Sequence, residues 1–190
     1  MKFLFYIFSL FIITEAYAYV PTEAYTFDFN IQTVGMGKMR ERKLDDSVEI
    51  LREIFASPEF KRRILSHRFN GRKQFWKNKG LSNAQIYRKI LMGIEKLHPY
   101  RNNAMDVEIQ LYTDNKSVVV GYTNPGTRRI WMNTKYFNKN TPAQVASHLT
   151  HEWLHKLGFD HEKAKCSERQ YSVPYAIGYI VRDLARKYRY

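Results

Sequence analysis

Between Thr141 and His161 the sequence specifies a helix with a marked start, a buried seam and an enforced stop. Thr141-Pro142-Ala143-Gln144 has the form of a capping box with proline at the first helical position. Val145, Leu149, Trp153 and Leu157 then recur as one apolar stripe at 100° per residue, while His148, His151 and His155 gather on the side away from it. Gly158 ends the helix, because the left-handed residue just past a helix C-terminus is most easily glycine. The fold therefore has to bury one flank of this helix and leave the other open.

What the open flank carries is H-E-x-x-H-x-x-G-x-x-H, His151 to His161, and four of the six histidines of the chain lie between His148 and His161. His151 and His155 are one turn apart, so two imidazoles can grip one metal ion at ~2.0–2.1 Å. Glu152 is rotated away from them and can reach a water without ligating the metal. A helix that ran on would point His161 elsewhere; a sharp turn at Gly158 brings it back as a third ligand and leaves the fourth tetrahedral position for water. His148 shares the face, but three ligands spread over two helical turns fit one tetrahedron poorly, so it is expected in the site wall or beside a ligand. Asp160 either orients a ligand histidine or helps the turn. His67 and His98 have no partner at metal spacing and are expected at the surface or at helix ends.

These residues fill every fixed position of the long zinc motif of the metzincin clan of metallopeptidases, which the chain resembles. The resemblance implies an α+β, zincin-like domain: a small mixed sheet packed on helices, the motif helix, a turn under the metal and a C-terminal helix. It implies Zn²⁺ on His151, His155 and His161, with Glu152 as the general base of a secreted zinc-dependent metalloendopeptidase that uses a metal-activated water. One departure is plain: metzincins place a methionine in the turn below the zinc, and here no methionine follows Met132. Ser172-Val173-Pro174-Tyr175 stands in that place, with Pro174 in the methionine's position. Tyr175 resembles the tyrosine that some members place near the metal as an extra ligand or transition-state donor; packing against the site is the other reading. Arg129–Asn133 looks like the strand on which zincins hold an extended substrate, with Trp131 either facing the cleft or buried in the sheet. The alternative from another class is an exported zinc-binding interaction module without turnover. Glu152 weighs against it, since a structural zinc has no use for that residue.

The N-terminus carries its own signal. Lys2, the apolar run Phe3–Ile13 and Ala16-Tyr17-Ala18 read as a signal peptide over residues 1–18, leaving 19–190 as one catalytic domain, secreted or periplasmic and without a transmembrane anchor after cleavage. Nothing after it suggests a repeat, a linker or a second domain, and a monomer is expected. The single Cys166 excludes an internal disulfide and is expected to be a small buried residue. A net charge of +13 favours a polypeptide substrate that is acidic or associated with an anionic envelope; no nucleic-acid motif accompanies the scattered Lys and Arg, so no nucleic acid is expected.

Elsewhere the periodicities predict elements directly. Tyr25, Phe27, Phe29 and Ile31 alternate as a strand, after which Gly35 through Lys43 reads as a loop. Leu44–Phe55 repeats at helical spacing, and Ser57-Pro58 starts a second helix that runs to Asn70-Gly71. Ser82–Gln85 is another capping box opening a helix to His98-Pro99. Three short strands follow, around Val107–Leu111, Val118–Tyr122 and Arg129–Asn133, with turns at Asp114-Asn115 and Asn124–Gly126. Tyr171–Tyr175 reads as non-helical, leading into a last helix that buries Ala176, Ile177, Ile180, Val181, Leu184 and Ala185, with a solvated basic tail.

Overall fold

The computed structural model describes residues 26–162 and 166–188; the expected signal peptide, residues 1–18, lies outside them. Strand β1 (Asp28–Val34) is followed by helices α1 (Lys38–Ala56), α2 (Pro58–Ser66) and α3 (Asn83–Met92). Strands β2 (Ala104–Tyr112), β3 (Gly121–Thr123) and β4 (Arg129–Asn133) come next, then α4 (Thr134–Lys139), α5 (Pro142–Lys156), a 3-10 turn at Ser167–Tyr171 and α6 (Val173–Lys187). The described residues thus form a mixed α+β fold with a four-stranded mixed sheet and six α-helices. No helix among them is long and apolar enough to cross a membrane.

The sheet order is β1-β2-β4-β3. β2 runs parallel to β1, pairing Asp28 with Ala104 through Val34 with Gln110, and parallel to β4, pairing Glu108 with Arg129 through Tyr112 with Asn133. Parallel neighbours need crossovers, and α1 to α3 supply the first. For the second, the chain overshoots to the edge, forms β3, and turns back through Asn124–Gly126 into β4, which pairs antiparallel with β3. One face of the sheet buries Met105, Val107, Ile109, Ile130 and Met132 in the core that α1 and α5 share. The other face keeps polar residues partly exposed, including an Arg129–Glu108 ion pair at 2.8 Å.

Local chemistry sets the helix boundaries. The Ser57 hydroxyl accepts the Phe60 N–H at 3.2 Å, with Pro58 in the first turn of α2; such a cap contributes about 1 kcal/mol. Ser82 and Gln85 form the expected reciprocal box. Phe27, Phe55 and Trp153 meet in the core with Phe27–Trp153 centroids 5.7 Å apart, so α1 and the residue that leads into β1 pack directly on the motif helix.

Several sequence expectations need correction. α1 begins at Lys38, with Gly37 as its N-cap, so the charged run is its first turns rather than a loop. α3 stops at Met92, short of His98, because Gly93 takes a left-handed conformation (φ +62°). Val173–Tyr175 is the first turn of α6, not an irregular stretch. Of Val118–Tyr122 only Gly121 and Tyr122 belong to a strand, and Val118 is exposed. Arg129–Asn133 is an interior strand hydrogen-bonded on both sides, so it offers a substrate no free edge; the edge belongs to β3. Trp131 lies on the outer face, stacked on Tyr122 at 5.1 Å, and is neither core nor cleft. Cys166 is only partly buried, and its thiol donates to Glu168 at 3.2 Å. The short helix α4, capped by the Asn133 side chain, had no sequence forecast.

Candidate metal centre

α5 is assembled as its sequence requires. Thr141 Oγ1 accepts the Gln144 N–H at 3.3 Å and Gln144 Oε1 accepts the Thr141 N–H at 2.9 Å, closing the capping box. Val145, Leu149, Trp153 and Leu157 are buried. Trp153 Nε1–H donates to Glu95 Oε1 at 2.7 Å, tying the apolar seam to a buried carboxyl. Beneath the helix, Lys156 is 1% exposed and donates to the carbonyls of Thr127 (2.6 Å) and Arg129 (3.0 Å), which fixes α5 against β4.

The helix ends in a Schellman turn. Gly158 N–H bonds His155 O at 2.9 Å and Phe159 N–H bonds Leu154 O at 3.1 Å, with Gly158 at φ +93° and Phe159 buried. This turn satisfies carbonyls that the helix would otherwise leave open. It also redirects the chain so that His161 returns over the helix.

The result is a group of three. One nitrogen from each of His151, His155 and His161 lies within 4.8 Å of the others, and His151 Nε2 is 3.1 Å from His161 Nε2. Two rings are aimed by the backbone: His155 Nδ1 is 2.8 Å from Phe159 O, and His161 Nδ1 is 2.8 Å from Glu162 O. A carbonyl can only accept, so both Nδ1 atoms carry the proton and both Nε2 atoms keep a lone pair for a metal. Burial is the main cause that lowers all three imidazole pKa values, His151 well below the ordinary histidine value. Neutral imidazole is the form that ligates metal. By donor type, tautomer and protonation, the three histidines fit a metal ion.

Glu152 lies beside them, 4% exposed. Burial pushes its carboxyl up to about 8, against the pull of Lys156. His148 does not join the group of three. Its Nε2 is buried without a hydrogen-bond partner, 3.8 Å from Glu152 Oε1, and burial holds its imidazole down at about 4. It is a wall residue. Gly121 of β3 faces it closely: a Cβ there would sit 2.4 Å from His148 Nε2 and 2.6 Å from Trp131 O, so only glycine lets the edge strand approach α5. Asp160 pairs with Lys79 at 3.1 Å, while the two backbone carbonyls orient the His155 and His161 rings.

The floor of the site is aromatic. The Tyr175 ring packs edge-on against His151 (centroids 4.4 Å) and His161 (4.7 Å). Pro174, one residue earlier, is buried in the first turn of α6. α6 is held to α5 where Ser147 Oγ donates to Gly178 O at 2.7 Å. The whole arrangement opens into a cleft of about 830 Å³, walled on one side by Val118–Thr123 and on the other by Tyr175, Tyr179 and Arg182. Sequence reasoning placed His148 and Tyr175 at the site but missed Val118–Thr123, Tyr179 and Arg182 as its walls. The spacing of Tyr175, Tyr179 and Arg182 on one helical face was the available signal for the second.

Comparison with protein-family models, with curated proteins and with solved structures yields no match to this chain. The site therefore has to be interpreted from its own chemistry.

Proposed function

We propose that the chain is an exported zinc metallopeptidase of metzincin-like, zincin-type fold that hydrolyses peptide bonds in polypeptide substrates. The observation that carries this reading is the convergence of His151, His155 and His161 beside a buried glutamate at the floor of an open cleft. Zinc, held by the three histidines, would supply Lewis acidity toward a peptide carbonyl and water. Glu152 then acts as the proton carrier. As the carboxylate it takes a proton from the attacking water, and the proton affinity that burial gives it suits delivery to the leaving amine. His155 and His161 keep their aim through the Phe159 and Glu162 carbonyls, and the Tyr175 ring braces His151 and His161. The edge position of β3, continued along the cleft by Val118–Val120, suits an extended peptide laid on as a further strand.

A zinc-binding module without turnover is the weaker reading, because burying a carboxyl beside the ligands costs stability and gives such a module nothing in return. The test is Glu152→Gln, which preserves shape and removes the base. Zinc content should match that of the wild type, and cleavage of an unfolded protein or peptide library should fall by about 10²–10⁴-fold. Cleavage by the variant at the wild-type rate, or by wild type after chelation of its zinc, would refute the mechanism.

A further inference from the structure

Resting on that reading, the structure assigns the α6 side of the cleft a substrate preference: we propose that Arg169 and Arg182 form a carboxylate-recognition site, so that the enzyme selects peptides presenting a carboxylate there. Arg169 lies with its guanidinium 4.3 Å from the centroid of Tyr175, the ring that braces His151 and His161. Arg182 lies 4.7 Å over Tyr179, whose ring is 5.9 Å from that of Tyr175. Two stacked cation–aromatic pairs therefore continue directly from the metal ligands along one wall, and both arginines line the cleft.

Neither guanidinium is fully used by the protein. Arg169 Nε and Arg182 Nε are both buried without a hydrogen-bond partner, and Arg182 makes only a long, part-exposed ion pair with Asp183 at 3.8 Å. Stacking on a ring fixes the plane of a guanidinium and leaves its edge donors free, which is the geometry that takes a carboxylate in paired hydrogen bonds. The acids lining the cleft are Glu152 and Asp160, and Asp160 is already neutralised by Lys79. The wall thus presents the positive charge of both guanidinium groups within reach of a bound peptide, and a carboxylate answers it. Acidic side chains and a free C-terminus present that same group.

The experiment compares zinc-loaded wild type, Arg169→Met and Arg182→Met on matched peptides carrying Glu or Gln at each position near the cleaved bond, each as the free acid and as the C-terminal amide. Binding of the same peptides to the zinc-loaded Glu152→Gln protein, with and without each arginine substitution, is followed by fluorescence anisotropy. Wild type should prefer Glu over Gln by about tenfold or more at one position, or the free acid over the amide. Each substitution should bring that ratio toward one, and added salt should narrow it. The ratio is insensitive to partial unfolding, which lowers both rates alike. A Glu:Gln ratio and an acid:amide ratio near one in wild type, in cleavage and in binding, would overturn the proposal; so would ratios that survive both substitutions. If no peptide is cleaved, peptidase activity fails as a reading, while the binding ratios still decide the arginine site.

Discussion

Gly158→Ala separates what the helix stop does for stability from what it does for the metal. At φ +93° an alanine is strained whatever space surrounds it, and its Cβ would meet Lys96 Cε at 3.1 Å. The steric part is relieved by rotation of a flexible side chain, so the backbone strain dominates, at about 1–3 kcal/mol. Two responses are open to the chain. If the Schellman turn holds, urea unfolding registers that full loss and zinc affinity is unchanged. If the turn relaxes, the stability loss shrinks and His161 shifts from its place 3.1 Å from His151, so zinc affinity falls by at least tenfold, as expected when one of three ligands is mispositioned. Equilibrium denaturation of the metal-free protein and competition titration with a zinc chromophore measure the two losses. A variant with wild-type stability and wild-type zinc affinity would refute the argument. Recovery of both in Lys96→Ala/Gly158→Ala would show that sterics, not backbone conformation, decide the position.

Other outcomes follow from single contacts. Thr141→Ala should cost about 1 kcal/mol in urea unfolding, through loss of the cap to Gln144 N–H, with zinc stoichiometry unaffected; an unchanged midpoint would deny the cap its role. Trp153→Phe should cost about 2–4 kcal/mol, because it leaves a gap in the core and takes the indole donor from buried Glu95; a loss below about 1 kcal/mol would mean that the pair is structurally idle. His67 stacks on Phe75 at 4.1 Å with Nε2 buried and unpartnered, and burial lowers its pKa. A histidine whose folded pKa is depressed leaves stability untouched above its unfolded value of about 6.5 and removes it as pH falls below that value. His67→Phe should therefore gain on the wild type progressively from pH 7 to pH 5 in denaturation experiments, and a gap constant with pH would contradict the assignment.

The candidate metal centre was legible because its determinants are local. Thr141 to Gln144, the Val145–Leu157 stripe, Gly158 and His161 each act within a turn or two of one another, and every one is where the spacing places it. Elements whose identity depends on distant partners were harder to read. Arg129–Asn133 has a strand sequence either at an edge or inside a sheet, and only the arrival of β3 on its far side decides between them. Gly121 reads as an ordinary strand-end glycine until His148 comes up against it. The apolar pattern continues past Met92 to Ile94, yet α3 ends at Gly93, where a Cβ would lie 2.3 Å from Ala104 O at the start of β2. Tyr175 was singled out for its place in the chain, but its packing on His151 and His161 depends on how α6 docks on α5.

That the three clustered histidines, and Glu152 with them, come from one helix and the turn that ends it bears on the order of folding. Closing so short a loop takes little chain entropy, whereas the cleft walls wait for contacts of longer sequence separation, β3 against α5 and α6 against α5. A dication bound by these residues would meet them before the cleft walls close, and would then act as a nucleus for the second half of the domain. Refolding started with zinc in the buffer should then outpace refolding in chelator; equal rates would place metal capture after the walls have closed.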